Sequence, residues 1–545
     1  MTLFAGSALL VTLGACAMQQ GIERRTELAG RKLPQTRPER TNYLETSRYT
    51  DVRAFIDSLK VRKSPLWDTS FATSTEGRAI PFVVLSRPVA TTPEFARRLG
   101  RPIVYVQANI HAGEVEGKEA MLEMMRDVSA QPSPGILDSI VLIVVPIYNA
   151  DGNEKFAPQE RNRSEQNGPE LVGQRPNGQG LDLNRDYVKA EAPETRMSLA
   201  ALTAWDPDVF VDLHTTDGSY HGYALTYSPS LSPAAPLGDY TRELLKTLRQ
   251  RMRDRHKTEV FDYGNFDREF ASMQDPAPKG WHSYEHLPRY GTNYVGLRSK
   301  VSILSEAYSH DPFETRIKAT YDFVREILSL SAEQIARRTL EQKALVALEQ
   351  RLTFAESGVE LRAALSGPSH SEAVLVEQLE RVTDTTHRTE PGVRRGFRRT
   401  KRITPVVMPV YDVFTTTLRR KVPASYVIPA SDTAALRVLR LHGVQMHPAS
   451  AMSTDAEIFS IDSVRSSPRA FQGHREVSLT GNWRTERRAI PAGSFIVDTA
   501  QPLGLVAFYL LEPESDDGLV TWNFFDGDVK KGGEFPVWRI PQASR

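Results

Sequence analysis

A single cysteine, Cys16, stands in a chain of 545 residues. No disulfide framework can form within such a chain, and no zinc site can be built from several cysteine thiolates. An excess of charge of one sign is also lacking, with 68 Lys and Arg against 67 Asp and Glu. That balance gives no reason to expect a nucleic acid or an acidic membrane surface as partner. The local basic run RTEPGVRRGFRRTKR at 388–402 reads as a solvated linker. No internal repeat is apparent. What is present is an ordinary globular composition, 40% hydrophobic and 25% charged, in a chain too long for one domain.

The position of the cysteine is informative. Residues 1–16 read MTLFAGSALLVTLGAC, an apolar segment too short to span a bilayer as an ordinary helix. It ends in Leu13-Gly14-Ala15-Cys16, which resembles a bacterial lipoprotein cleavage box with Cys16 as the lipidated residue. A basic region before the apolar stretch is missing. The expectation is export to the periplasm or cell envelope, with membrane attachment through lipidated Cys16. Residues 17–41 are polar and read as a tether.

From residue 42 to about 330, β-rich runs alternate with helix-like segments. RPIVYVQANI (101–110), SIVLIVVPIYN (139–149), PDVFVDLH (207–214) and KVSILSEAY (300–308) are apolar and rich in Val and Ile. Continuous runs of this kind suit strands covered on both faces. Between them, 117–130, 193–205 and 236–257 carry helical patterns. The expected fold class is therefore α/β, with a mixed, mostly parallel sheet flanked by helices. A helical pattern continues from 312 to 365 with a break near 329–331, so 331–366 reads as a helical connector. A Ser/Thr/Arg-rich stretch at 367–404 reads as a linker. Residues 405–545, with short apolar runs such as ASYVIPA, GSFIVDTA and GLVAFYLL, read as a smaller β-rich C-terminal domain.

The chemistry gathers at strand ends. The first run leads directly into His111-Ala112-Gly113-Glu114, and the third ends in His214. Ligand sites in open α/β sheets lie beyond the carboxyl ends of strands. A His and a Glu three residues apart on one loop can turn toward a common point, where imidazole and carboxylate both suit zinc. Two His and one carboxylate leave a fourth position open, the catalytic arrangement. Taken alone, H-x-x-E is a weak signal. The later pieces strengthen it: Asn149-Ala150-Asp151-Gly152, a loop with Arg161, Arg163 and Arg175, then Asp182-Leu183-Asn184-Arg185-Asp186, and finally Glu306 at the end of the fourth run. Each has a plainer reading as a turn or a solvated ion pair, but together they form an ordered set.

That ordered set resembles the zinc carboxypeptidase family, the carboxypeptidase A-like metallopeptidases, over about residues 45–325. The resemblance implies a catalytic domain over 42–330 and one zinc ion held by His111, Glu114 and His214. It implies Asn184 and Arg185 as the grip on a substrate's terminal carboxylate, Arg163 as the oxyanion partner with Arg161 as a neighbour of the same type, and Glu306 as the general base. A substrate-binding Tyr is implied upstream of Glu306, for which Tyr284, Tyr290 and Tyr294 are candidates and Tyr290 is taken. The chain departs from the family pattern at Ala150, where Pro is usual, at Thr215, where Ser is common, and in the residues flanking Glu306. The C-terminal third has no counterpart in the minimal catalytic domain.

The function so implied is hydrolysis of the peptide bond next to a free C-terminal carboxylate, with a peptide as substrate. Two other readings share parts of the pattern. A zinc-dependent N-acyl amino acid amidase, similar to aspartoacylase and succinylglutamate desuccinylase, also uses H-x-x-E, D-L-N-R and a later His. A non-catalytic exported binding protein on the same scaffold would lack a ligand or the base, and here all are present.

Overall fold

The computed structural model describes residues 33–267, 278–335, 358–382 and 397–542, with isolated positions between them. The expected signal segment with Cys16, and residues 17–32 of the tether, lie outside the described residues. The rest of the tether is anchored: Thr36 and Glu39 form a capping box on the short helix Arg37–Arg40, and Glu39 pairs with Arg126 at 2.7 Å.

The main sheet has eight strands. In chain order they are β1 (Leu66–Thr73), β2 (Ala79–Leu85), β3 (Ile103–Ala108), β4 (Val141–Val145), β5 (Val209–Thr215), β6 (Leu225–Pro229), β7 (Val260–Asp262) and β8 (Val301–Ala307). Their spatial order is β1-β2-β4-β3-β5-β8-β6-β7. The centre, β4-β3-β5-β8, is parallel throughout, whereas β1, β2 and the β8–β6 pair run antiparallel. The sheet is thus mixed with a parallel core, as the apolar runs predict.

Alternation along the buried strands sorts their side chains into two cores. Ile103, Tyr105, Ile143, Val145 and Phe210 face one side, and Val104, Val106, Leu142, Val144 and Val211 the other. Each fully buried Val, Ile or Leu contributes about 1.5–3 kcal/mol relative to exposure. The sheet is accompanied by helices α1 (Tyr49–Val61), α2 (Glu116–Ala130), α3 (Pro193–Trp205), α4 (Gly238–Arg251), α5 (Gly291–Leu297) and α6 (Phe313–Gln334). Helices α1, α2, α4 and α6 cover the second face. The first face meets α3 and, in the same continuous core, residues Phe459, Leu479 and Leu505–Leu511 of the C-terminal region.

Three stretches between residues 313 and 411 differ from their sequence expectation. Helix α6 runs unbroken through Ser329 and Ser331, whose hydroxyls bond back to the Arg325 and Ile327 carbonyls. Within the expected connector, Val359–Leu365 is a strand, because VELRAAL alternates in burial rather than following a helical period. Within the expected linker, His370–Arg381 pairs antiparallel with Phe397–Tyr411. There the period is masked by a charge on the inner face: Glu377 is fully buried and receives Arg399 at 2.7 Å.

The C-terminal region forms a six-stranded sheet in the order His447–Pro448, Phe495–Asp498, Ser425–Ile428, Trp538–Ile540, Ser453–Ser466, Val477–Ala489. It also carries helices α7 (Thr433–His442) and α8 (Gly504–Leu511). The run GLVAFYLL is α8, buried at every position, so its uniform hydrophobicity marks an enclosed helix rather than a strand. Among the described residues, no helix is long and apolar enough to cross a membrane.

Candidate active site

The carboxyl ends of β3, β5 and β8 meet at one point. Beyond β3 the chain turns through Asn109, which adopts a left-handed φ of 63°, a conformation Asn tolerates better than most residues. Its side-chain amide donates to the carbonyls of Ala112 and Glu114 at 3.2 and 3.0 Å, closing the loop that presents His111 and Glu114. Gly113 is required by space, since a Cβ there would lie 2.7 Å from Arg163 Cγ and 2.9 Å from the Gly173 carbonyl. Neither Asn109 nor the crowding at Gly113 was singled out from sequence; a polar residue between a β-run and H-x-x-E is the available signal.

His111, Glu114 and His214 are buried, and their ligand atoms all lie within 4.8 Å of one another. Glu114 Oε1 is 3.0 Å from His111 Nδ1, and Oε2 is 3.0 Å from His214 Nδ1. The two Nδ1 atoms face each other at 3.2 Å. Behind each ring a carboxylate meets Nε2: Asp182 Oδ1 at 3.0 Å from His111, and Asp212 Oδ2 at 3.1 Å from His214. Rings oriented from behind by carboxylates, with their other nitrogens converging beside a third carboxylate, suit a divalent cation such as zinc. The electrostatics agree. Burial alone would lower the pKa of His214, but Asp212 and Glu114 hold it well above its usual value. Burial would raise Glu114, but His111, Arg163 and the hydrogen bonds of both imidazoles pull it well below the carboxylate range. Both shifts describe a place where positive charge is favoured.

The cluster lies on a cavity of about 170 Å3, lined also by Arg175, Asn184, Arg185, Asp217, Tyr263, Tyr284, Tyr290 and Glu306. Arg185 extends across the ring of Tyr290 at 4.1 Å, a cation–π contact. Its Nη1 donates to the Asn184 carbonyl at 2.8 Å. Asn184 Oδ1 accepts the Gly291 N–H at 2.9 Å, tying the Asn184–Arg185 turn to the segment that follows Tyr290. Of the three tyrosine candidates, Tyr284 and Tyr290 line the cavity, while Tyr294 is fully buried against His442. Burial pushes the Tyr290 hydroxyl up to about 12 against the opposing pull of Arg185.

Arg163 is placed differently from its expected role. It is absent from the cavity lining and buried behind Glu114, with Nη1 on Glu114 Oε1 at 3.1 Å and Nη2 on the carbonyls of Thr215 and Thr216 at 3.0 Å each. Its guanidinium is occupied as a brace. The cavity's own guanidinium on that loop is Arg175, held through Nε to Asp182 Oδ2 at 2.8 Å, with Nη1 3.6 Å from Glu114. Arg161 is also outside the lining. The Asn149-Ala150-Asp151-Gly152 element is structural: Asn149 donates to the carbonyls of Ile110 and Arg175, and Asp151 receives Ser74, Glu76 and Arg78.

A family model described as zinc carboxypeptidase matches residues 52–308, a span that holds every one of these side chains. Residues 52–308 belong to the zinc carboxypeptidase family. The chain is accordingly a metallocarboxypeptidase-type hydrolase. Carboxypeptidase 2 of Trichophyton rubrum is 23% identical over 502 residues, covering 86% of this chain and 81% of that protein. Probable carboxypeptidase 2 of Arthroderma benhamiae is 25% identical over 472 residues, covering 82% and 79%. Among solved structures, a Pseudomonas aeruginosa metallo-carboxypeptidase in complex with (2-guanidinoethylmercapto)succinic acid is 16% identical, with TM-score 0.39, covering 53% of this chain and 70% of that one. A Burkholderia cenocepacia metallo-carboxypeptidase is 14% identical, with TM-score 0.39, covering 54% and 70%. Both curated relatives match far beyond residues 52–308 and into the C-terminal region.

Proposed function

We propose that this chain removes C-terminal residues from peptides, with one zinc ion held by His111, Glu114 and His214 and with Glu306 as general base. The observation that carries the reading is the convergence of the His-Glu-His cluster, Glu306 and Arg185 on one small cavity. A zinc ion held there supplies Lewis acidity, polarising the scissile carbonyl and making water more acidic.

The chain's own residues do the rest. Arg185 offers a planar fork to the terminal carboxylate, and Asn184 adds a second donor. Fixing the chain end brings the adjacent amide to the cluster and removes much of the entropic cost of the encounter. Glu306 takes a proton from water as its oxygen bonds to the carbonyl carbon, then delivers that proton to the amine nitrogen as the C–N bond breaks. Arg175, rather than Arg163, faces the negative charge that grows on the carbonyl oxygen, because the Nη atoms of Arg163 are already taken up. Tyr290 closes the side of the pocket over Arg185.

The test is a substrate panel: peptides with free C-termini, the same peptides amidated, and N-acyl amino acids. Selective cleavage of free-ended peptides supports the reading. Equal cleavage of amidated peptides removes the exopeptidase claim, preference for N-acyl amino acids replaces it with an amidase, and no turnover at all replaces it with a binding protein.

A further inference from the structure

We infer that the C-terminal region is a working part of the active site, with Gln472 as a positioning residue that holds the Asp182–Arg185 turn. The inference rests on the proposed roles of His111 and Arg185.

Strands Ser453–Ser466 and Val477–Ala489 are joined by a turn. Its tip is closed by reciprocal backbone bonds between Phe471 and His474, at 2.7 and 3.0 Å. That closure places Gln472 at a left-handed φ of 50°, beside Gly473 at 82°. The strained tip reaches across to the catalytic sheet, where Gln472 Oε1 accepts the backbone N–H of Asp182 at 2.9 Å, from 290 residues away in sequence.

Asp182 is the residue through which such a contact matters most. Its Oδ1 meets His111 Nε2 and accepts the Asn184 N–H at 3.0 Å, and its Oδ2 accepts Arg175 Nε at 2.8 Å. One side chain therefore sets the orientation of an expected metal ligand, of the cavity's guanidinium and of the turn that carries Asn184 and Arg185. Gln472 holds the backbone of that residue in place.

The same region grips both flanks. From the turn, His474 Nε2 meets Glu191 Oε1 at 3.0 Å. Fully buried Asp517 accepts the Arg289 backbone N–H at 2.7 Å and its Nε at 3.0 Å, and Arg289 directly precedes Tyr290. Helix α7 contributes His442, whose Nδ1 faces the Tyr294 hydroxyl at 2.6 Å and whose Nε2 donates to the Val188 carbonyl at 3.0 Å. The contacts fall on the two segments that build the carboxylate-binding wall, 182–191 and 289–294. A merely docked module would have no reason to satisfy a backbone N–H inside that wall. Ordering of ligands from behind in this way tunes metal affinity and the geometry of the substrate grip.

Full-length Gln472→Ala and Gln472→Glu decide the matter. Gln472→Ala removes a single acceptor from a half-buried side chain at a turn. It should keep the parental melting temperature while weakening zinc affinity, read by competition with a chelator, by roughly three- to tenfold. Its KM for free-ended peptides should rise about tenfold with a smaller change in kcat. Gln472→Glu, equal in length and still an acceptor, should restore both values to near the parent. A Gln472→Ala protein with parental zinc affinity and KM overturns the inference, whether or not its melting temperature falls. A Gln472→Glu protein as impaired as Gln472→Ala overturns it too. Should the parent cleave no free-ended peptide, the proposed function fails, while the zinc-affinity ratio still decides the role of Gln472.

Discussion

His214 and Glu306 are register partners on adjacent parallel strands. An expected metal ligand and the expected general base therefore stand side by side, fixed by the backbone hydrogen bonds of β5 and β8 rather than by a loop. Burial raises the pKa of Glu306, and Glu114 and Asp217 push it further, against the opposing pull of His214 and Arg163. A carboxyl held so far up is a good proton carrier once a cation sits beside it. Glu306→Gln keeps the shape and the strand pairing but cannot take a proton. Turnover of a free-ended peptide should fall by about 10²–10⁴-fold, with zinc content by elemental analysis unchanged. Retention of parental kcat would dismiss Glu306 as the base.

The carboxylate behind His214 gives an independent handle on the metal. Asp212 is fully buried and reaches His214 Nε2 at 3.1 Å. Asp212→Asn should weaken zinc binding by about 10–100-fold, and His214→Ala should abolish it, both measured by chelator competition. Unchanged affinity in both variants would show that the ion binds elsewhere.

Arg185 separates an exopeptidase from a general hydrolase. Loss of a charged, bidentate contact costs about 1.5–3 kcal/mol. Arg185→Ala should therefore raise KM for free-ended peptides by about 10–100-fold and leave any slow cleavage of amidated peptides untouched. A parallel loss on both substrates would remove the terminal-carboxylate role.

Acid should loosen the contact between the C-terminal region and the sheet. Burial lowers the pKa of His442 to about 4, against an ordinary value of 6.5. Between those values the unfolded chain binds a proton that the folded chain refuses, so stability is full above pH 6.5 and is lost as pH falls toward 4. The slope from this residue is at most about 1.4 kcal/mol per pH unit. In His442→Gln, the fall in melting temperature between pH 6.5 and 4 should be shallower than in the parent. An identical pH profile would assign the acid sensitivity to other groups.

The Leu13-Gly14-Ala15-Cys16 box motivates a prediction about location. Expressed in a bacterium with its leader, the parent should partition with membranes and carry a lipid detectable by mass spectrometry, while Cys16→Ser should be soluble. An unlipidated parent in the soluble fraction would refute the anchor.

Sequence alone determined much of this protein, because the parts that it determined are local. Short unbroken runs rich in Val and Ile, bounded by turn residues, favour strands covered on both faces. A His-x-x-Glu directly after one run, and a His closing another, had to fall at the same end of a parallel sheet. Other features depend on what lies opposite. The sequence could not tell Arg163 from Arg175, since both sit on one loop and only packing shows that the first is spent on Glu114 and two carbonyls. The strand at 370–381 was hidden because Glu377 points inward, and a buried carboxylate reads as surface until its partner Arg399 is known. GLVAFYLL reads equally well as strand or helix, because burial on all sides erases the period that would distinguish them. The reach of Gln472 to Asp182 spans 290 residues, and no local pattern encodes a contact whose two halves meet only after both domains have packed on one core.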